Sequence, residues 1–335
     1  MSTVGRISNE RIQVSTPPQG LLRGRLFRCQ RLRIHRSLYH RAAARPDGYG
    51  HVTVEAGFTT VADLGSAGYG NLRLRASIDA DSAPGPRLIA AGSWMGGRGG
   101  VCEFGGATVR GAQEAAARAA ADIAAGAALL KLCITNWLDP VVARPDSIEL
   151  TVDEMRAIME KARAANVPVV AHAIGQAGVR AALSAGIRWL AHTPVVDDAT
   201  AADLARERVC ISTTMTTLTQ GASAAALGAS FQRLRSAGAR FVLGTDAGVL
   251  AHGQNARELI TLTELGMAPL DAIRAATITA AECLNLPPDQ TSLQPGAPAD
   301  LVAVRGNPLA DIRLLSAPSL VIRKGRRGHP SGERM

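Results

Sequence analysis

The sequence predicts an α/β chain built as a (β/α)8 TIM-type barrel, with an atypical first strand and a small β appendage after the barrel. Three observations carry that expectation. Short apolar runs alternate with Ala-rich helical stretches from about residue 55 onward. The runs are apolar on both faces, which is how strands of a buried parallel sheet read. Their spacing, roughly 20–40 residues, is that of repeated βα units. A chain of 335 residues has room for two domains, but α/β barrels of this length are often one unit.

The runs are TTVADLG (59–65), PRLIAAG (86–92), ALLKLCI (128–134), VPVVAHA (167–173), IRWLAHT (187–193), RVCISTT (208–214) and RFVLGTD (240–246). They make seven strands, and a closed barrel takes eight. The stretches 111–127 and 150–166 read as helices. In the second, Met155, Ile158 and Met159 recur at helical spacing, and Thr151 with Glu154 forms a capping box. The eighth strand has to come before residue 55, where 21–45 suits it badly. There RLRIHR alternates charged and apolar residues, and a strand buried on both faces cannot hold arginine at every second position. A long helical region (254–286) leads into short strands within 291–312 and in SLVIRKGR, with turns at Pro295-Gly296 and Gly306-Asn307. The expected segments are thus an Arg-rich N-terminal segment (1–50), the barrel (51–288), C-terminal strands (289–325) and a basic tail (326–335).

Composition narrows the function. The chain is 47% hydrophobic, enough for a large core. No stretch is long and apolar enough to span a membrane, and the N-terminus lacks the apolar centre of a secretory signal. Five scattered cysteines without a CxxC pair suggest reduced thiols and a cytoplasmic protein. The net charge of +9 invites a nucleic-acid reading, but residues 1–50 alone hold ten arginines against Glu10 and Asp47. The long middle is near neutral, and aromatics are only 3%, so stacking platforms are scarce. The expected partner is a small-molecule substrate, in a chain open to homo-oligomer formation, with neither membrane nor nucleic acid.

In a βα barrel, function sits at the C-terminal ends of the strands. The polar residues that end these runs are Asp63, Lys131, His172, His192 and Asp246. Lys131 stands out, because only three of the 37 cationic residues are lysines. Singly, each has a plain structural role available: a hydrogen-bonded core histidine, a capping aspartate, or an ion pair of Lys131 with Asp63 or Asp246. Together, two imidazoles, a carboxylate and a lysine on one rim suit a divalent metal, zinc being typical.

This combination resembles the amidohydrolase superfamily of metal-dependent hydrolases, in its imidazolonepropionase-like and Xaa-Pro-dipeptidase-like branch. The resemblance runs from about Val54 to Lys324. GFTTVADLGS and GPRLIAAG look like the family's second and third strands, and LLKLCIT carries its strand-four lysine. VVAHAIG and LAHTPVVDD look like the strand-five and strand-six histidines, and GTDAGV like the strand-eight aspartate. The C-terminal PGAPADLVAVRGNPLADI resembles the return of a β-sandwich, here partly truncated. The resemblance implies Lys131, His172, His192 and Asp246 as ligands of one or two metal ions, Lys131 N6-carboxylated, and Asp246 as the catalytic proton shuttle. It implies hydrolysis of a C–N bond in an amide, cyclic amide or dipeptide-like substrate by metal-activated water. A lysine among leucines is pushed toward the neutral amine that can take up carbon dioxide, which arginine cannot do.

One departure stands out. The family ends its first strand in His-x-His, and this sequence contains no such pair. His35 and His40 are five apart, which puts them on opposite faces of a strand, and His51 falls where the first helix should be. Three readings stay open. The chain is an active enzyme with one metal or with His35 or His40 recruited, or a catalytically impaired relative, or one whose reading frame is shifted upstream of about residue 50. Among smaller signals, the Gly-rich loop 95–106 offers Arg98 and Glu103 as substrate contacts. Cys102 and Cys133 read as bystander thiols, and His252, six residues after Asp246, as a surface residue or one that lines the rim.

Overall fold

The computed structural model of the chain describes residues 46–103, 108–137, 147–219 and 223–328. Helix α1 (Pro46–Glu55) leads into β1 (Thr60–Asp63), α2 (Gly70–Asp79), β2 (Arg87–Ala90), β3 (Trp94–Gly97) and β4 (Thr108–Val109). Regular alternation follows: α3 (Ala112–Ala124), β5 (Leu130–Cys133), α4 (Val152–Ala164), β6 (Val169–His172), α5 (Gln176–Ala185), β7 (Trp189–Ala191) and α6 (Asp198–Arg206). The barrel part ends with β8 (Cys210–Ser212), the single turn α7 (Met215–Leu218), α8 (Ala224–Ser236), β9 (Arg240–Val242), α9 (Ala256–Glu264), α10 (Pro269–Ala276) and α11 (Ile278–Cys283).

All seven expected runs are strands, and their pairings are parallel. The order β3-β5-β6-β7-β8-β9 follows the chain, and β1 pairs with β2. The Ala128 amide donates to the Ala90 carbonyl at 2.9 Å, which ties β2 to the start of β5. Strands β2 and β3 therefore act as one stave interrupted at 91–93. Among the described residues, no strand lies against the outer edges of β1 or β9. The run proposed for that place, 21–45 with His35 and His40, lies outside the described residues.

Strand side chains alternate between two faces, and the sheet uses both. Leu130, Leu132 and Ile134 pack outward with Met155 and Ile158 of α4 and Ala115 and Ala119 of α3. Leu129, Val170, Trp189, Cys210 and Val242 form the separate inner cluster. Trp189 brings a polar edge into it, and its indole N–H donates to Ser212 Oγ at 2.9 Å. By the same alternation Lys131 and His172 follow Leu129 and Val170 on the inner face, one step nearer the strands' C-terminal ends.

After the barrel, β10 (Leu301–Ala303), β11 (Leu320–Arg323) and β12 (Arg326–Gly328) form an antiparallel sheet. This is the expected appendage. No helix among the described residues is long and apolar enough to cross a membrane.

The cysteines correct the expectation of reduced thiols. Cys102 and Cys133 form one disulfide, and Cys210 and Cys283 another, across 31 and 73 residues of chain. Sequence spacing holds no trace of either pair because the barrel makes both. The loop after β3 meets the end of β5, and the end of α11 meets β8.

Candidate active site

Lys131 sits at the middle of β5 with 5% of its surface exposed. Burial lowers its pKa to about 8, against the opposing pull of the Asp246 carboxylate. His172 closes β6 and is also buried. Burial first, and then the Lys131 charge, pushes its pKa down to about 3, while a hydrogen bond to the Asn136 carbonyl opposes the shift. His192 follows β7 and is held well below the usual histidine range by burial, by His172 and by Lys131. The two imidazoles meet edge to face, with centroids 4.6 Å apart. Both are neutral at pH 7, as metal binding requires.

Each ring has one nitrogen engaged by the protein. His172 Nε2 lies 3.1 Å from the Asn136 carbonyl oxygen, and His192 Nδ1 lies 2.8 Å from Thr214 Oγ1. A ring nitrogen that donates to the protein leaves the other as the lone-pair donor. The Asn136 carbonyl can only accept, which leaves the lone pair on Nδ1 of His172, and Nδ1–H of His192 donating to the Thr214 hydroxyl would leave it on Nε2. The Trp137 ring stands edge-on to His172 at 5.4 Å.

The backbone at this rim is unusual. His192, Thr214 and Asp246 follow three consecutive strands, and all have positive φ, at 73°, 51° and 49°. Such values are uncommon outside glycine and are outliers for a β-branched residue. Gly244 allows the crowding between β8 and β9. A Cβ there would stand 3.0 Å from Ser212 Cβ and 3.1 Å from Thr214 Cγ2. Backbone held in a costly conformation is the kind of feature that clusters at functional sites.

The remaining expected residues fall into place unevenly. Asp246 is half-buried beyond β9 and acts electrostatically on Lys131. Asp63 does not pair with Lys131. Its Oδ1 accepts from the Gly65 amide at 2.9 Å and from Asn71 Nδ2 at 3.0 Å, so it shapes the turn after β1. Arg98 and Glu103 are exposed. Their loop is held by Glu149, whose Oε2 accepts from the Val101 amide at 2.8 Å. No hydrogen bond or ion pair among the described residues joins either side chain to Lys131, His172 or His192. His252 is not a plain surface residue. It is half-buried, with its ring 4.6 Å from that of Tyr49 and Nδ1 3.3 Å from Thr53 Oγ1. His51 lies in α1 as expected, 3.1 Å from Glu55.

Among the described residues, no three His, Cys, Asp or Glu side chains gather as metal ligands. Two imidazoles gather with a lysine instead. As an ammonium, Lys131 would repel a metal ion. As a carbamate it would supply an anionic oxygen donor, and the set would suit a divalent metal that accepts nitrogen and oxygen.

A sequence profile of the amidohydrolase family matches residues 51–328. The chain belongs to the amidohydrolase family. Among amidohydrolase relatives, ochratoxinase of Aspergillus niger is 31% identical over 216 residues, which is 58% of this chain and 44% of that protein. An uncharacterised protein of Mycobacterium tuberculosis is 28% identical over 213 residues, covering 58% of this chain and 56% of its own. The match thus spans about half the length of these relatives. An Xaa-Pro dipeptidase structure with bound methionine superposes with a TM-score of 0.79 at 26% identity, covering 85% of this chain and 78% of that one. The Aspergillus niger ochratoxinase structure gives 0.75 at 25%, covering 87% and 76%.

Proposed function

We propose that this amidohydrolase hydrolyses a C–N bond in a small amide, cyclic amide or dipeptide-like substrate, at a divalent-metal site of Lys131, His172 and His192 with Asp246 as proton carrier. The observation that carries the reading is the meeting of two neutral imidazoles and a lysine of lowered pKa on the barrel's inner rim. A neutral Lys131 Nζ attacks carbon dioxide and loses a proton, which leaves a carbamate. That step replaces a buried neutral amine with a buried anion facing two imidazoles. Zinc suits such donors, and when bound there it supplies a Lewis acid and a water of lowered pKa.

The chain's own residues have distinct tasks. Asn136 and Thr214 fix the two imidazole rings. Asp246 takes a proton from the attacking water and delivers it to the leaving nitrogen. The acyl carbon gains the hydroxyl, the C–N bond breaks, and an acid and an amine leave. Arg98 and Glu103 are proposed contacts for the substrate's outer end. The likeness to an Xaa-Pro dipeptidase supports a dipeptide-like substrate.

The test is a panel of Xaa-Pro dipeptides and N-acyl amino acids with zinc and bicarbonate present. We expect turnover that falls by roughly 10²-fold or more in Asp246→Asn, the scale of lost proton transfer, and disappears in Lys131→Ala. Hydrolysis that survives both substitutions would contradict the proposal.

A further inference from the structure

The structure assigns Glu258 a positioning role: acting through Thr214, it sets the ring orientation and tautomer of His192. The geometry stands by itself, and only its consequence for metal affinity rests on the function proposed above.

Glu258 lies in the first turn of α9 and is fully buried. No cation pairs with it among the described residues. A buried carboxylate without a cation is costly unless hydrogen bonds satisfy it, and here they come from one short segment. Oε1 accepts from the Met215 amide at 2.7 Å, and Oε2 from the Thr216 amide at 2.8 Å. The Thr213 side chain bonds to the same carboxylate. The only residue of 213–216 that gives it nothing is Thr214, which turns the other way.

Thr214 has the left-handed backbone, φ 51°. Its amide donates to the Gly244 carbonyl at 2.9 Å, and its carbonyl accepts from Thr217 Oγ1 at 3.0 Å. Held this way, its hydroxyl oxygen stands 2.8 Å from His192 Nδ1. When Nδ1–H donates to that oxygen, Nε2 keeps its lone pair. Were Thr214 to relax to an ordinary extended conformation, its hydroxyl would leave Nδ1 and the tautomer would no longer be fixed. Glu258 bonds to residues on both sides of Thr214 and so opposes that relaxation. A plain helix-capping role for Glu258 predicts lower stability with an unchanged His192.

The experiment uses metal-free protein and long-range ¹H–¹⁵N NMR of the imidazoles, followed by zinc titration against a chromogenic chelator. Wild type and Thr214→Ser should show His192 in the Nδ1–H form, and Thr214→Val should lose it. Glu258→Gln should shift the ring toward a tautomer mixture. Glu258→Asp, which keeps the charge but retracts it, should do so in part and serves if the Gln variant does not fold. Zinc affinity should fall roughly 10- to 100-fold in Thr214→Val and Glu258→Gln, the scale of lost outer-shell partners. The double variant should bind no more weakly than Thr214→Val alone, because both changes act on one path. A wild-type Nδ1–H pattern in either Glu258 variant, or additive losses in the double variant, would overturn the assignment. If wild type shows the expected NMR pattern but takes no zinc, the positioning stands and the metal function fails.

Discussion

At the scale of single residues, Lys131 explains its own identity. An arginine at that depth would stay charged, whereas a lysine amine can lose its proton. Its environment makes a pH prediction with a definite sign. In the folded, metal-free chain Lys131 titrates near pH 8 and His172 near pH 3, both below their unfolded values of 10.5 and 6.5. Between each pair of values the unfolded chain binds a proton that the folded chain does not, so stability rises with pH across both windows. At acid pH the His172 contribution is opposed by Asp63, Asp122, Glu149 and Glu258, whose carboxyls burial pushes up, so the Lys131 window is read in urea denaturation of metal-free protein as the difference between wild type and Lys131→Met from pH 8 to 10.5. Lys131→Met should be the more stable at pH 7 and lose that advantage as pH climbs from 8 to 10.5, and a difference between the two that does not change with pH would refute the burial argument. The meeting of Lys131, His172 and His192 on one rim was legible in the sequence because scarce lysine and histidine residues ended apolar runs, and Asp246 through its place at the end of another run. Asn136 and Thr214 were not. The first acts through a backbone carbonyl, which leaves no trace in residue type. The second is a threonine among several in STTMTTLT, where only the fold distinguishes one from another.

At the scale of elements, local chemistry sets most boundaries. The capping box of α4 is formed as read. Thr151 accepts from the Glu154 amide, and the Glu154 side chain accepts from the Thr151 amide. Thr151→Ala should cost about 1 kcal/mol, read as a lower midpoint in chemical denaturation with an unchanged slope. The predicted helical region 254–286 is instead three helices. Gly266, with φ 88°, ends α9, and Pro269 begins α10, in line with the preference for glycine just past a helix end and proline at its start. Its break at Thr277 before α11 has no glycine or proline to announce it. The loop after β3 shows a constraint that composition hid. A Cβ on Gly97 would lie 2.1 Å from the Glu149 carbonyl oxygen, so this glycine marks close packing as well as flexibility. Gly97→Ala should force backbone movement and cost about 1–3 kcal/mol. Unchanged thermal stability would show that the loop does not rest on Glu149.

At the scale of the molecule, periodicity foretold the barrel. Seven apolar runs became seven parallel strands because a strand buried on both faces must be apolar throughout. What joins distant runs was hidden, and the two disulfides are the clearest case. They predict that unfolded, unreduced protein exposes at most one reactive thiol per chain in a colorimetric titration, and five would contradict the pairing. In the proposed function, inner-face residues of neighbouring strands, none suggestive alone, hold a metal ion through Lys131. The most direct measurement is metal content per chain, by inductively coupled plasma mass spectrometry, of wild type and Lys131→Ala purified with zinc and bicarbonate. Wild type should hold at least one ion per chain, and the variant should retain none. Wild type without metal, or a variant with the same content, would contradict that proposal.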